Sequence, residues 1–408
     1  KAAEEHTMEY VIFCRILFFL VKEFFMESIF IPRYFWNGTN DEVCTNTAVL
    51  VRDNRIEQID EPEKLRLGYP EAQVLESKDW LMMPAFVDAH DHGRGMSPIS
   101  FRTPDRALEM WLQDLNKLPA IPHYQACYYD GMRLVSSGVG MVLHSHNPNS
   151  FAKIREEMVA AEKGYKDAGI RSILCPLYLD QNKRIYYDRD KFISDLPEPL
   201  RTNFAAGIHD KIMSMNEYFQ LVEGICEDLA DDIKAGWTEV QLHPNGGQWC
   251  SDEALLQMKE YALEHGMYIH LHLLETQYQA EYAKRTWGKS FIKHYKEIGF
   301  LGPWVSFAHA VWLDEEDLQL IAESGAHLIT NPSSNLRLRS GIFNMQRANE
   351  LGIDCGIGLD GCAFDDDQDY LREIRVAWLN NLHNGVDGEV DYKDALKMAT
   401  SRGANISA

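Results

Sequence analysis

From about Leu81 onward, short apolar runs rich in strand formers alternate with helical patterns, and this rhythm constrains the fold more than any other feature. It predicts strands over 81–88, 139–145, 171–178, 236–242, 267–274, 303–309, 326–331 and 353–359. Helical patterns separate them, among others Phe151 to Ala168, Ser214 to Asp231, Asp252 to His265 and Asp314 to Ser324. Ser251-Asp252-Glu253 carries the signal that opens a helix, and Gly266 the signal that closes it. Eight strands alternating with helices is the count for a (β/α)8 TIM-type barrel. A doubly wound sheet is the alternative, but no Gly-x-Gly-x-x-Gly follows a strand. Ahead of the barrel, Ser28 to Ser77 reads as short strands and turns, with Thr47 to Ile56 as strand, turn, strand. The expected organisation is an extension over 1–25, a small flanking β-rich domain over 26–83, and the α/β barrel with C-terminal helices over 84–408.

Barrel chemistry sits at the C-terminal strand ends, and histidines gather there. The first strand leads into His90 and His92, the second into His144 and His146, the fourth into Gln241 and His243. The fifth carries His270 and His272, the sixth His309, and the eighth ends at Asp360. Of 15 histidines, eight fall at or near these ends, which are a small part of the chain. Side chains at i and i+2 of a strand share a side, so His90 and His92 can converge on one ion. With Asp360 and one histidine of strand five they supply three nitrogens and one oxygen. That set suits Zn2+ and tolerates Fe2+ or Mn2+. His272, nearer the strand end, is the better ligand, and His270 reads as a core histidine or a support for a ligand. A water in the open position would act as a hydroxide-like nucleophile near neutral pH. Glu275, three residues past His272, is placed to shuttle protons, although alone it would read as a loop glutamate. Asp360 can also accept a proton from the water. His309 can polarise the substrate or hold the water; otherwise it is a buried strand histidine. His146, Gln241 and His243 are weaker candidates for substrate contact.

A net charge of -22 repels phosphate, so nucleic acid and anionic membranes are poor expected partners and a small-molecule substrate is favoured. Homo-oligomerisation is left open. The eight cysteines form no Cys-x-x-Cys pair, which fits free thiols in a reducing, cytoplasmic setting. The apolar stretch from Tyr10 to Ile31 suggests an anchor or signal peptide, but Arg15, Lys22, Glu23 and Glu27 interrupt it and no small-residue cleavage site follows. Met26 reads better as a natural start that runs straight into the first strand. Residues 1–25 are then an extension of unknown role, with a packing or oligomer-contact helix as the other reading.

Five motifs occur in order: Pro84-Ala85-Phe86-Val87-Asp88-Ala89-His90-Asp91-His92, His272-Leu273-Leu274-Glu275-Thr276, His309-Ala310-Val311-Trp312-Leu313-Asp314, Asn331-Pro332-Ser333-Ser334-Asn335-Leu336 and Gly358-Leu359-Asp360-Gly361. Together they resemble the amidohydrolase superfamily, most of all the subgroup of triazine hydrolases, cytosine deaminase and guanine deaminase. The resemblance runs from about residue 30 to the end. It implies a metal-dependent hydrolase in which hydroxide adds to an electrophilic carbon and ammonia or an amine leaves a nitrogen heterocycle. It implies His90, His92, His272 and Asp360 as ligands, with Glu275, His309 and Asp360 catalytic. Binuclear relatives use a carboxylated lysine on strand four; Trp237 to His243 contains none, so one divalent metal per chain is expected.

Three departures stand out. Gly93-Arg94-Gly95 replaces the glutamine associated with guanine deaminases. Cys362-Ala363-Phe364-Asp365-Asp366-Asp367 stands where many relatives carry Ser-Asn, and its aspartates at the mouth would favour cationic or amine-bearing substrates. The chain also stops at Ser407-Ala408, where relatives continue into the small β-domain, so that domain is expected to be truncated or reduced. The same fold also hydrolyses other leaving groups (halide, thioether or cyclic amide), and a non-catalytic relative is the remaining reading.

Overall fold

The computed structural model describes residues 27–181, 186, 188–206, 213–361, 366–382 and 390–407. The extension expected over 1–25 lies outside them. No helix among the described residues is long and apolar enough to cross a membrane. By its internal contacts the chain divides into two compact units, Lys1–Phe86 and Val87–Ala408.

In the first unit, β1 (Glu27–Phe35), β2 (Ala48–Arg52), β3 (Arg55–Asp60) and β4 (Gln73–Met82) form one sheet in the order β3-β2-β1-β4. β1 is antiparallel to β2 and parallel to β4. Asp53 and Asn54, at φ 48 and 62, make the tight turn between β2 and β3. Both central residues of such a turn need positive φ, which Asp and Asn tolerate. Ile29, Ile31, Ala48, Leu50 and Leu65 form this unit's core.

The second unit is built on two four-stranded parallel sheets. One joins β5 (Phe86–Asp91), β6 (Val139–Ser145), β7 (Arg171–Cys175) and β9 (Thr238–Val240). The other joins β11 (Ile269–Leu273), β12 (Val305–His309), β13 (His327–Thr330) and β14 (Cys355–Ile357). A short parallel pair, β8 (Leu177–Tyr178) with β10 (His243–Pro244), lies between them in sequence. β5, β11 and β12 are buried along their whole length, as strands covered on both faces require. Single contacts continue the pairing past each ladder: Leu242 bridges to Ile269, and the Asp360 N–H donates to His90 O at 2.8 Å. The strand expected over 81–88 is in fact two. β4 ends at Met82 and β5 begins at Phe86, because Pro84 has no N–H to donate to a ladder. His90 therefore lies within β5, and His92 one residue past it.

Candidate metal and catalytic site

β5 delivers His90 and His92, β11 delivers His270 and His272, and the turn after β14 delivers Asp360. The spacing of two puts each histidine pair on one side of its strand. His92 Nδ1 lies 2.7 Å from Ser145 O, and His272 Nδ1 lies 2.5 Å from Asn245 O. A carbonyl only accepts, so both Nδ1 atoms carry the proton and both Nε2 atoms present lone pairs. Asn147 Nδ2 lies 2.7 Å from His92 Nδ1, so a protonated Nδ1 requires the amide nitrogen and oxygen to be exchanged. His90 Nδ1 is held by His270 Nε2 at 2.8 Å, and His270 Nδ1 by Ser306 Oγ at 2.8 Å. His90 Nε2 is buried with no hydrogen-bond partner.

These free nitrogens meet. His92 Nε2 and His272 Nε2 are 3.5 Å apart, two lone pairs that approach only with a cation or proton between them. Asp360 Oδ1 lies 3.0 Å from His92 Nε2 and 3.4 Å from His90 Nε2. Tetrahedral coordination with bonds of about 2.0–2.1 Å has edges of roughly 3.3–3.4 Å, so the donor set fits one divalent transition metal. Burial pushes the imidazoles of His90, His92 and His272 below their usual range, which keeps them neutral and able to ligate. Burial opposes charge on Asp360 as well, but its close contacts with His90 and His92 outweigh that and hold its carboxyl well below the usual value. Its second oxygen accepts from Ser334 Oγ at 2.5 Å.

Glu275 and His309 stand beside this cluster. Glu275 is 2 % exposed, and burial, aided by the charges of Asp360 and Glu109, pushes its carboxyl well above the usual range. Its Oε2 lies 3.7 Å from His309 Nε2. His309 Nδ1 lies 3.0 Å from Asn335 Oδ1 and 3.2 Å from Asn331 Nδ2; donation to Asn335 leaves Nε2 as the unprotonated atom. Burial brings this imidazole down to about 4. A cavity of about 410 Å³ exposes His92, His272, Glu275, His309 and Asp360 together. Leu108, Trp111, Leu112, Leu115 and Phe151 supply an apolar part of its lining.

His146, Gln241 and His243, read from sequence as substrate contacts, do not line this cavity. His243 is clamped between His270 O at 2.6 Å and Ser145 Oγ at 2.8 Å, so both its nitrogens are used inside the fold. Gln241 continues β9 with its N–H on Leu174 O, and its side chain is buried. His146 packs between His144 and Glu157. The acidic run also departs from expectation: Asp366 pairs with Arg337 and Asp367 with Arg372, and neither lines the cavity. Residues 362–365 of that run lie outside the described residues. Sequence reasoning missed the Ser145 and Asn245 carbonyls, which leave no trace in side-chain identity. It also missed the helix Leu108–Asp114, whose apolar spacing at Leu108, Trp111 and Leu112 was a usable signal.

Residues 81–407 match the model of the amidohydrolase family. The chain belongs to that family. It is 27% identical over 372 residues to a 5'-deoxyadenosine deaminase of Methanopyrus kandleri, covering 90% of this chain and 78% of that protein. Its fold is that of an adenosine deaminase from Xanthomonas campestris solved with bound zinc (TM-score 0.76, 20% identity, 93% of this chain and 79% of that one). It is also that of an atrazine chlorohydrolase from Arthrobacter aurescens complexed with zinc (TM-score 0.76, 17% identity, 93% and 82%). The amidohydrolase match takes in both parallel sheets and every residue of the buried His/Asp cluster.

Proposed function

We propose that this amidohydrolase is a zinc-dependent aminohydrolase that releases ammonia from an adenosine-type nucleoside with an apolar 5' group. The observation that carries this reading is the meeting of the buried Glu275 carboxyl with the His/Asp cluster in one cavity that also has an apolar wall. Four residues, His90, His92, His272 and Asp360, would hold a single ion. When bound, that ion supplies a water made nucleophilic near neutral pH. Asp360, charged in the fold, accepts the proton that the attacking water gives up. Glu275 donates its proton to the ring nitrogen beside the amino-bearing carbon, which draws electron density away from that carbon. The proton taken from water passes on to the amino group, which departs as ammonia, and the hydroxyl left on the carbon returns its proton to Glu275 as the carbonyl forms. His309 Nε2, fixed by the Asn335 hydrogen bond to Nδ1, orients the Glu275 carboxyl or the incoming oxygen. The name of the Methanopyrus relative and the apolar wall around Leu108, Trp111 and Leu112 support the 5'-deoxynucleoside.

The same reading takes the two parallel sheets as one (β/α)8 barrel over 84–408, with 26–83 as a β-rich domain. The contacts Leu242–Ile269 and Asp360–His90 support closure at both gaps. An ammonia-release screen of zinc-loaded protein over 5'-deoxyadenosine, adenosine, guanine, cytosine and aminotriazines tests the function. The expected order puts 5'-deoxyadenosine first in kcat/KM, with loss of turnover on chelation and return with Zn2+. No ammonia from any compound, or full turnover after chelation, would overturn it.

A further inference from the structure

A second group of donors lies beside the cavity and shares no residue with the first. His123 opens the helix His123–Ser136, His146 follows β6, and Glu157 sits in the first turn of the helix Ile154–Ala168. Glu157 Oε2 is 3.2 Å from His146 Nε2 and 3.3 Å from His123 Nε2. Both separations match the roughly 3.3–3.4 Å edges of tetrahedral coordination by N and O donors, as in the first cluster. The side chain of His146 is 0% exposed, and those of His123 and Glu157 are 11% exposed.

The surroundings prepare these atoms for an ion. Backbone N–H groups of Asn149 and Ser150 each donate to Glu157 at 3.1 Å and fix the carboxylate plane. His146 Nδ1 lies 3.1 Å from His144 Nε2, and His144 Nδ1 lies 3.1 Å from the Tyr165 hydroxyl, which reaches Asp130 Oδ2 at 3.4 Å. With His144 Nδ1–H donating to Tyr165, His144 Nε2 accepts from His146 Nδ1–H, and His146 Nε2 is left as a lone pair. Such outer partners fix the tautomer of a ligating histidine. Protons alone serve the group less well. One N–H of His146 can bond Glu157, but His123 Nε2, though 3.3 Å from the carboxylate, is buried without a well-directed hydrogen bond. A cation uses all three atoms.

We propose that His123, His146 and Glu157 form a second divalent-metal site, separate from the catalytic ion, that pins the segment after β6 to two helices. His123, Asn149 and Phe151 line the cavity, so this ion would set the shape of the cavity wall. The test is Co2+ titration of chelated full-length protein, read by visible absorption and by elemental analysis. Wild type should bind about two equivalents, since each structural site loads on its own ligands. Glu157→Gln should bind about one, and so should His90→Asn/His92→Asn. Wild type taking about one equivalent, lost in His90→Asn/His92→Asn but kept in Glu157→Gln, overturns the second site and leaves the catalytic reading intact. One equivalent lost only in Glu157→Gln supports the second site and removes the first. Should Glu157→Gln fail to fold, His123→Asn replaces it, and a wild-type ratio near one with His123→Asn unchanged overturns the proposal.

Discussion

Glu275→Gln is the most searching perturbation of the proposed chemistry. Burial raises the Glu275 carboxyl and so favours its neutral form, and the amide replaces it with a neutral planar group of nearly equal size. The backbone bond from Glu275 N–H to Gln279 Oε1, 2.9 Å, does not involve the side chain and survives. Stability and metal content should therefore stay at wild-type levels. What disappears is the transferable proton. General acid–base groups contribute about 10²–10⁴-fold, so kcat should fall by that factor, about 3–5.5 kcal/mol of barrier. The assay is ammonia release from the best substrate of the screen, with metal content and thermal midpoint measured on the same samples. A variant that keeps its metal and its midpoint but also keeps its kcat would refute the proton-transfer role. A variant that loses its metal would instead show that Glu275 supports the ligand cluster.

Two further predictions concern stability. Glu162, 3 % exposed on the helix Ile154–Ala168, is raised from 4.5 to about 7 by burial and then by Asp232. The folded state thus binds more protons than the unfolded one between about pH 4.5 and 7, and stability falls as pH rises through that window. The upper limit is about 3 kcal/mol at 1.36 kcal/mol per unit. Glu162→Gln should stabilise at pH 8 by about 1–3 kcal/mol and change little at pH 4, by urea denaturation; an equal effect at both pH values would contradict the assignment. Tyr218→Phe should cost about 1–3 kcal/mol for each of two buried groups left unpaired. Its hydroxyl donates to Pro176 O at 2.8 Å and accepts from His243 N–H at 2.9 Å. A thermal midpoint equal to wild type would show that other partners take up those groups.

Strand alternation and strand-end histidines were legible because period and residue type carry them. His90, His92, His272 and Asp360 do come together, and His270 supports His90. Strand ends were less legible, since Pro84 divides one apparent strand into two. His146 and His243 show why proximity to a strand end is a weak guide to substrate contact. Residue type marks both as polar groups near the site, yet only their partners, Glu157 and His144 for one and Ser145 and His270 O for the other, show that they are committed inside the fold. The partners of His243 are distant in sequence and act through hydroxyl and backbone oxygen, for which sequence offers no distinguishing mark.

Backbone conformation was the least legible part, and it bears most on function. Leu274, His309, Ala310 and Asp360 have φ of 50, 72, 49 and 61, all in the left-handed region that residues with a Cβ avoid. Such positions cost about 1–3 kcal/mol each and persist only where neighbours over-determine them. The neighbours are present: Ala310 N–H bonds Leu273 O, Val311 N–H bonds Leu274 O, and Asp360 N–H bonds His90 O. Glycine at any of the four would relax the backbone. At 309 and 360, however, it would delete a side chain that the proposed chemistry uses, and Leu274 immediately precedes Glu275. The strain therefore marks the strand ends where the chain turns so that its functional groups face one another instead of continuing along the sheet. His92 Nε2 and His272 Nε2 face each other at the same place, 3.5 Å apart. A cation held there would add stability in proportion to its affinity for the folded state. The backbone strain and the His/Asp cluster thus coincide at one place, the edge of the cavity that Glu275 lines.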